Sequence, residues 1–203
     1  MDEPAAGRKG SFAEPALDQL FHKARTFNRF RDEPVPDALL QAAFDLARLP
    51  PTSANSSPGR IVFVKSPDAK KRLEPALSDG NRAKTMKAPV TAIMAYDMEF
   101  YEFLPKLFPH EDARSWFAGK PKAIETTAFR NGTLFGAYFI LAARSIGLDC
   151  GPMSGFDNEK VDQAFFAGTS WRSNFLINIG FGDRSDLRPR HPRFAFNEVC
   201  KIL

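Results

Sequence analysis

Cysteine and histidine are scarce in this sequence: two of the first and three of the second among 203 residues. Cys150 and Cys200 form no CxxC pair, and His22, His110 and His191 have no second histidine or cysteine at ligand spacing, so no metal site is expected. A chain of this length can withdraw roughly 70% of its unfolded surface from water without a disulfide. Two lone thiols then suit a reducing, cytoplasmic setting. Long apolar runs are missing as well. Leu134 to Ala143 is the most apolar stretch, far short of the roughly 20 residues that cross a bilayer. The first residues carry Asp2, Glu3, Arg8 and Lys9 but no apolar segment of a secretory signal. Neither sign of charge dominates, because 28 basic residues stand against 24 acidic ones and are spread along the chain. A nucleic-acid binder would gather its excess on one face. Nucleic acid and membrane are therefore not expected partners, and an anionic small ligand is. GxSxG, HExxH and GxxxxGK[ST] are absent, and Gly180-Phe-Gly182 lacks the third glycine of a dinucleotide fingerprint.

What is present reads as an α+β domain. Residues 1–14 are expected to be a flexible lead-in, and residues 15–203 a single domain with no internal repeat or linker. Leu17, Leu20, Phe21 and Ala24 mark one face of a helix over residues 15–25. Pro36 and Asp37 open a second, which carries Leu39, Leu40, Ala43, Phe44 and Ala47 and stops at Pro50-Pro51. Residues 51–59 are a loop by composition, residues 61–64 a strand, and a helical segment starts at Pro67. Residues 90–96 are nearly all apolar and predict a strand buried on both faces. Residues 100–117, with two prolines and no clean period, predict an excursion over a cleft, a candidate lid. A long buried helix is predicted from Lys122 to Ile146, with Leu134, Tyr138, Leu141 and Ala142 on one side and Gly147 as terminator. Residues 151–155 read as an irregular turn, Asp157 as the cap of a short helix, and residues 174–179 as a third strand.

Five irregular polar segments punctuate these elements: residues 25–28, 52–57, 80–84, 151–155 and 184–193. Such segments are where ligands usually sit. Arginines, hydroxyls, amides and glycine-flanked backbone together suit a molecule with a phosphate, a polyol and a flat polar ring.

Two of the segments, Arg-Thr-Phe-Asn-Arg-Phe-Arg-Asp-Glu-Pro-Val at 25–35 and Pro-Thr-Ser-Ala-Asn-Ser-Ser-Pro at 51–58, resemble in order and spacing the flavin-binding stretches of the nitroreductase family. Within that family the chain is most similar to the malonic semialdehyde reductase branch of pyrimidine (uracil) degradation. The similarity runs through Ala88 to Ile93, Glu99 to Glu102, Asp112-Ala-Arg-Ser-Trp-Phe117, Gly147 to Asp149, Gly151-Pro-Met-Ser-Gly-Phe-Asp157 and Asp162 to Gly168. The resemblance implies a nitroreductase-like fold, with a central, mostly antiparallel sheet wrapped by helices in an intertwined homodimer. It implies FMN as cofactor and NADH or NADPH as electron donor, with hydride passing through flavin N5 and no catalytic side chain. Arg25 and Arg190 would meet the phosphate, with Thr26 and Asn28 in the family's first polar stretch. Asn81 and Lys84 would face the pyrimidine edge. Pro152, Met153, Ser154 and Gly155 would lie against the ring, with the Ser154 backbone N–H on N5. Thr52, Ser53 and Asn55 would come from the second subunit. For a substrate that carries a carboxylate, the resemblance suggests Arg114 as clamp, Arg130 being the alternative, with Trp116 and Phe117 excluding water. The chain departs from common family residues at Ala24, Asn28, Ser57 and Gly59. A broad-specificity nitro or quinone reductase is the second functional reading.

Overall fold

The computed structural model describes residues 10–203, so residues 1–9 of the expected lead-in lie outside the described residues. Four strands form one antiparallel sheet: β1 (Gly59–Val64), β2 (Val90–Asp97), β3 (Asp149–Met153) and β4 (Trp171–Gly180), in the spatial order β1-β2-β4-β3. Five helices of seven or more residues surround it: α1 (Asp37–Ala47), α2 (Pro67–Leu73), α3 (Asp79–Lys87), α4 (Pro121–Ser145) and α5 (Asn158–Phe165).

The alternation of β2 shows how the layers are made. Val90, Ala92 and Met94 point to one face and join α1 and α4 in a core with Leu40, Phe139 and Ala143. Ile93 and Ala95 point to the other and meet Leu73 of α2 and Val161 of α5. Because helices cover both faces, every residue of β2 is buried, as its continuous apolar run predicts. Residues 100–117 coil through short helical turns around a third cluster in which Phe100, Leu104 and Phe117 are buried.

Three expectations are corrected by the structure. Residues 151–155 do not begin as a turn, because Gly151, Pro152 and Met153 complete β3. β3 is an edge strand, where a proline that cannot donate is tolerated. The first helix starts at Glu14 and widens into a π turn over Asp18–His22, closed by the Lys23 N–H on Asp18 O at 2.8 Å. The buried side of α4 is not the leucine side. Leu134 is 40% exposed, while Ala128, Gly132, Phe135, Gly136 and Phe139 face the sheet. A Cβ on Gly132 would stand 2.7 Å from Tyr96 Cβ, and one on Gly136 2.4 Å from Phe175 Cζ, so glycine sets how closely α4 lies on the strands.

Candidate functional site

The turn that follows β3 is fastened through its backbone by side chains from the start of α3. Asn81 Nδ2 donates to the Gly155 carbonyl at 2.8 Å and Ser78 Oγ donates to the same oxygen at 2.7 Å, which ties the start of α3 to the turn. A side chain on Gly155 would collide with those two groups, at 2.5 and 2.8 Å. Gly151 lies against the chain at residue 27, where a Cβ would stand 2.2 Å from the Phe27 carbonyl oxygen. That segment is stitched to β3 by the Phe27 N–H on Cys150 O at 3.1 Å and by the Thr26–Cys150 bridge. One helical turn past Asn81, Lys84 Nζ donates to Asn28 Oδ1 at 3.1 Å. Burial holds the Lys84 ammonium below the ordinary lysine range, so a nearby anion would favour its charged form. The N–H of Ser154 finds no acceptor among the described residues.

Asn28, the partner of Lys84, also lines a cavity of about 750 Å³ together with Arg25, Thr26, Arg144, Arg188 and Arg190, among others. Arg25 donates to the Arg188 carbonyl at 2.5 Å, and Arg190 to the carbonyls of Ala24 at 2.7 Å and His22 at 2.9 Å. Neither guanidinium pairs with a carboxylate among the described residues. The cavity therefore keeps a positive field suited to a phosphate.

The loop at residues 52–57 is held differently. Ala54, Asn55 and Ser57 all have positive φ, at 49°, 49° and 40°, conformations that cost about 1 kcal/mol or more each without support. The support is visible. The Ser53 N–H donates to Asn131 Oδ1 of α4 at 2.9 Å, the Ser57 N–H to Thr52 Oγ1 at 3.0 Å, and Asn55 Nδ2 to Leu107 O at 2.8 Å. Arg60 donates to Ser57 O at 3.0 Å and to the buried Asp97 carboxylate at 2.6 Å. The hydroxyl of Ser56 is buried without a partner among the described residues. This loop enters β1 at one edge of the sheet, and the turn at residues 154–155 leaves β3 at the other. Three strand spacings, about 14 Å, separate those edges.

The model of the Nitroreductase family matches residues 23–181. A Burkholderia lata protein provisionally named an NADH dehydrogenase/NAD(P)H nitroreductase is 64% identical over 192 residues, covering 95% of this chain and 98% of its own. The chain belongs to the nitroreductase family. Among solved structures, a Bacillus subtilis nitroreductase superposes with a TM-score of 0.85 at 22% identity, over 94% of this chain and all of that one. A nitroreductase of Exiguobacterium sibiricum in complex with FMN superposes with a TM-score of 0.83 at 16% identity, over 96% of this chain and all of that one. These likenesses establish the nitroreductase-like fold.

Within this nitroreductase fold, the expected residues fall into two groups. Arg25, Thr26, Asn28, Asn81, Lys84, Arg190 and residues 152–155 gather around the β3 turn and the arginine-lined cavity. Thr52, Ser53 and Asn55 sit at the β1 edge beside residues 100–117, with a cavity of about 280 Å³ between them. The nitroreductase lid candidates lie on that second side. Arg114 is committed to Glu102 in a two-bond ion pair, 2.7 Å each, with both side chains partly exposed. Trp116 is 43% exposed, whereas Phe117 is buried on Phe100 in the segment's own core. Ser78, Arg60 and Asn131 hold the two groups in shape and were not among the expected residues. Ser78 alone had a local signal, as an N-cap type residue opening the segment that contains Asn81.

Proposed function

We propose that this protein is an FMN-dependent oxidoreductase that passes hydride from NADH or NADPH to malonic semialdehyde, giving 3-hydroxypropionate in pyrimidine degradation. The observation that carries the flavin reading is that Asn81 is fastened to the turn after β3 and Lys84, one helical turn on, is joined through Asn28 to the arginine-lined cavity. That donor set fits FMN part by part. Arg25 and Arg190 would hold the phosphate, with Thr26 and Asn28 beside it. Asn81 and Lys84 would meet the pyrimidine edge, and the Ser154 N–H would donate to N5. Bound FMN supplies hydride exchange at N5. Pro152, Met153, Ser154 and Gly155 would lie against one side of the ring and leave the other to nicotinamide and acceptor in turn.

The second group of residues is too far away within one chain to share that ring, so Thr52, Ser53 and Asn55 would come from a second copy in a homodimer. The same copy would bring its lid segment. There Arg114 would exchange its Glu102 partner for the carboxylate of the substrate, with Trp116 shielding the pair and Phe117 supporting it from within. With Arg114→Ala, KM for malonic semialdehyde rises at least tenfold while a neutral acceptor is reduced as before, and an unchanged KM removes the clamp.

A broad nitro or quinone reductase is the second reading, supported by the name of the 64%-identical relative. The site is taken to work in the cytoplasm, and no described helix is long and apolar enough to cross a membrane. Anaerobic spectroscopy decides. The yellow protein bleaches with NADH or NADPH and recovers its colour with malonic semialdehyde. Recovery only with a nitroaromatic or quinone selects the broader activity, and a colourless protein that FMN cannot reconstitute overturns both.

A further inference from the structure

Lys70 of α2 is 5% exposed and is the only lysine buried among the described residues. Its ammonium donates to the Thr85 carbonyl at 2.8 Å and to Thr91 Oγ1 at 2.6 Å, with no carboxylate in reach among the described residues. Burial pushes it down to about 8, which leaves it mainly charged at pH 7. An unpaired buried charge is costly, and an apolar side chain of the same length would fill the space at lower cost. Its hydrogen bonds lead to the site from behind. The Thr91 hydroxyl donates to Asn178 Oδ1 at 2.8 Å, Asn178 Nδ2 to Thr85 Oγ1 at 3.3 Å, and Thr85 Oγ1 to Met153 Sδ at 3.4 Å. Each member touches a different part of the flavin cradle. Thr85 lies on α3 with Asn81 and Lys84, Asn178 is the register partner of Gly151, and Met153 ends β3 just before the ring-side turn. Every donor in this chain points away from the ammonium, so the network is polarised in one direction.

We propose that Lys70 is a positioning residue of the flavin site: it locks α3 to the β3 turn and holds a fixed positive charge behind them that favours the reduced cofactor over the oxidised one. The inference rests on the FMN reading given above. Its test is the midpoint potential of the FMN-loaded protein, titrated anaerobically against a reference dye, with Tm measured in parallel. In Lys70→Met, and in Lys70→Gln, which keeps two donors but no charge, reduced FMN is expected to lose about tenfold more affinity than oxidised FMN. That ratio corresponds to a potential about 30 mV lower for two electrons. Thr91→Val breaks the relay but keeps Lys70, so it lowers Tm and moves the potential less than either Lys70 variant does. A folded Lys70 variant with the wild-type potential overturns the proposal. So does a Thr91→Val potential that falls as far, or loss of FMN from all three variants alike, since packing alone would then explain the residue. A wild type that takes up no FMN fails the flavin reading instead, before any variant is compared.

Discussion

At Gly155, a methyl group would meet the ends of two side chains, Asn81 Nδ2 and Ser78 Oγ, and both can withdraw. At Gly151 it would meet the Phe27 carbonyl, which is main chain pinned to β3 and cannot. The two substitutions therefore separate site from fold. Gly155→Ala is expected to change unfolding free energy by no more than about 1 kcal/mol, because only flexible groups move. It should still weaken FMN binding at least tenfold, because Asn81 is displaced from the Gly155 carbonyl. Gly151→Ala is expected to lose about 3 kcal/mol, the upper range for overpacking. Urea unfolding and fluorescence titration of FMN measure the pair. If Gly155→Ala is the more destabilised variant, the turn is a structural joint and not a cradle.

Along α4 the same contest runs between helix propensity and packing. Gly132→Ala should gain about 1 kcal/mol from propensity, but its Cβ would press on Tyr96 Cβ, an atom tied to the β2 backbone. Gly136→Ala would press on the tip of the Phe175 ring, the far end of a side chain that can swing about its Cα–Cβ bond. Overpacking against an immovable neighbour costs about 1 to 3 kcal/mol, so Gly132→Ala is expected to unfold at lower urea than wild type and Gly136→Ala to lie nearer to it. The reverse order would mean that α4 shifts as a body. These glycines also explain what the sequence could not reveal about its elements. Leucine spacing draws the eye to Leu134 and Leu141, but the sheet accepts α4 only where side chains are smallest, and hydrophobicity does not record that. β2 was legible because burial on both faces leaves it nearly all apolar, and α1 because Pro36 and Pro50 bracket it. β3 was not, since glycine and proline at 151 and 152 signal a turn until an edge position is known.

For the whole molecule, the legible part of the site was its polar segments, which interrupt apolar elements and match the family's order. What stayed hidden is the support: Lys70 on Thr91, Ser53 on Asn131 and Arg60 on Asp97 join residues 21, 78 and 37 positions apart, distances over which a linear pattern carries no signal. The resemblance implied a site divided between two chains, but not that its halves lie at sheet edges about 14 Å apart. That division makes a quantitative demand on a dimer. A chain with Lys84→Glu spoils the β3 side of the site, and a chain with Ser53→Phe spoils the β1 side. In a mixed dimer one site then combines both defects, while the other combines the two intact halves. Random pairing of equal amounts makes half the dimers mixed, each with one intact site, so the coexpressed mixture should recover about one quarter of wild-type FMN occupancy and NAD(P)H oxidation. Each variant alone should show close to none. Recovery fails if both halves serve one ring within a single chain, because every chain then carries a defect. An intermediate recovery that follows the measured fraction of mixed dimers ties the catalytic unit to the pair of chains.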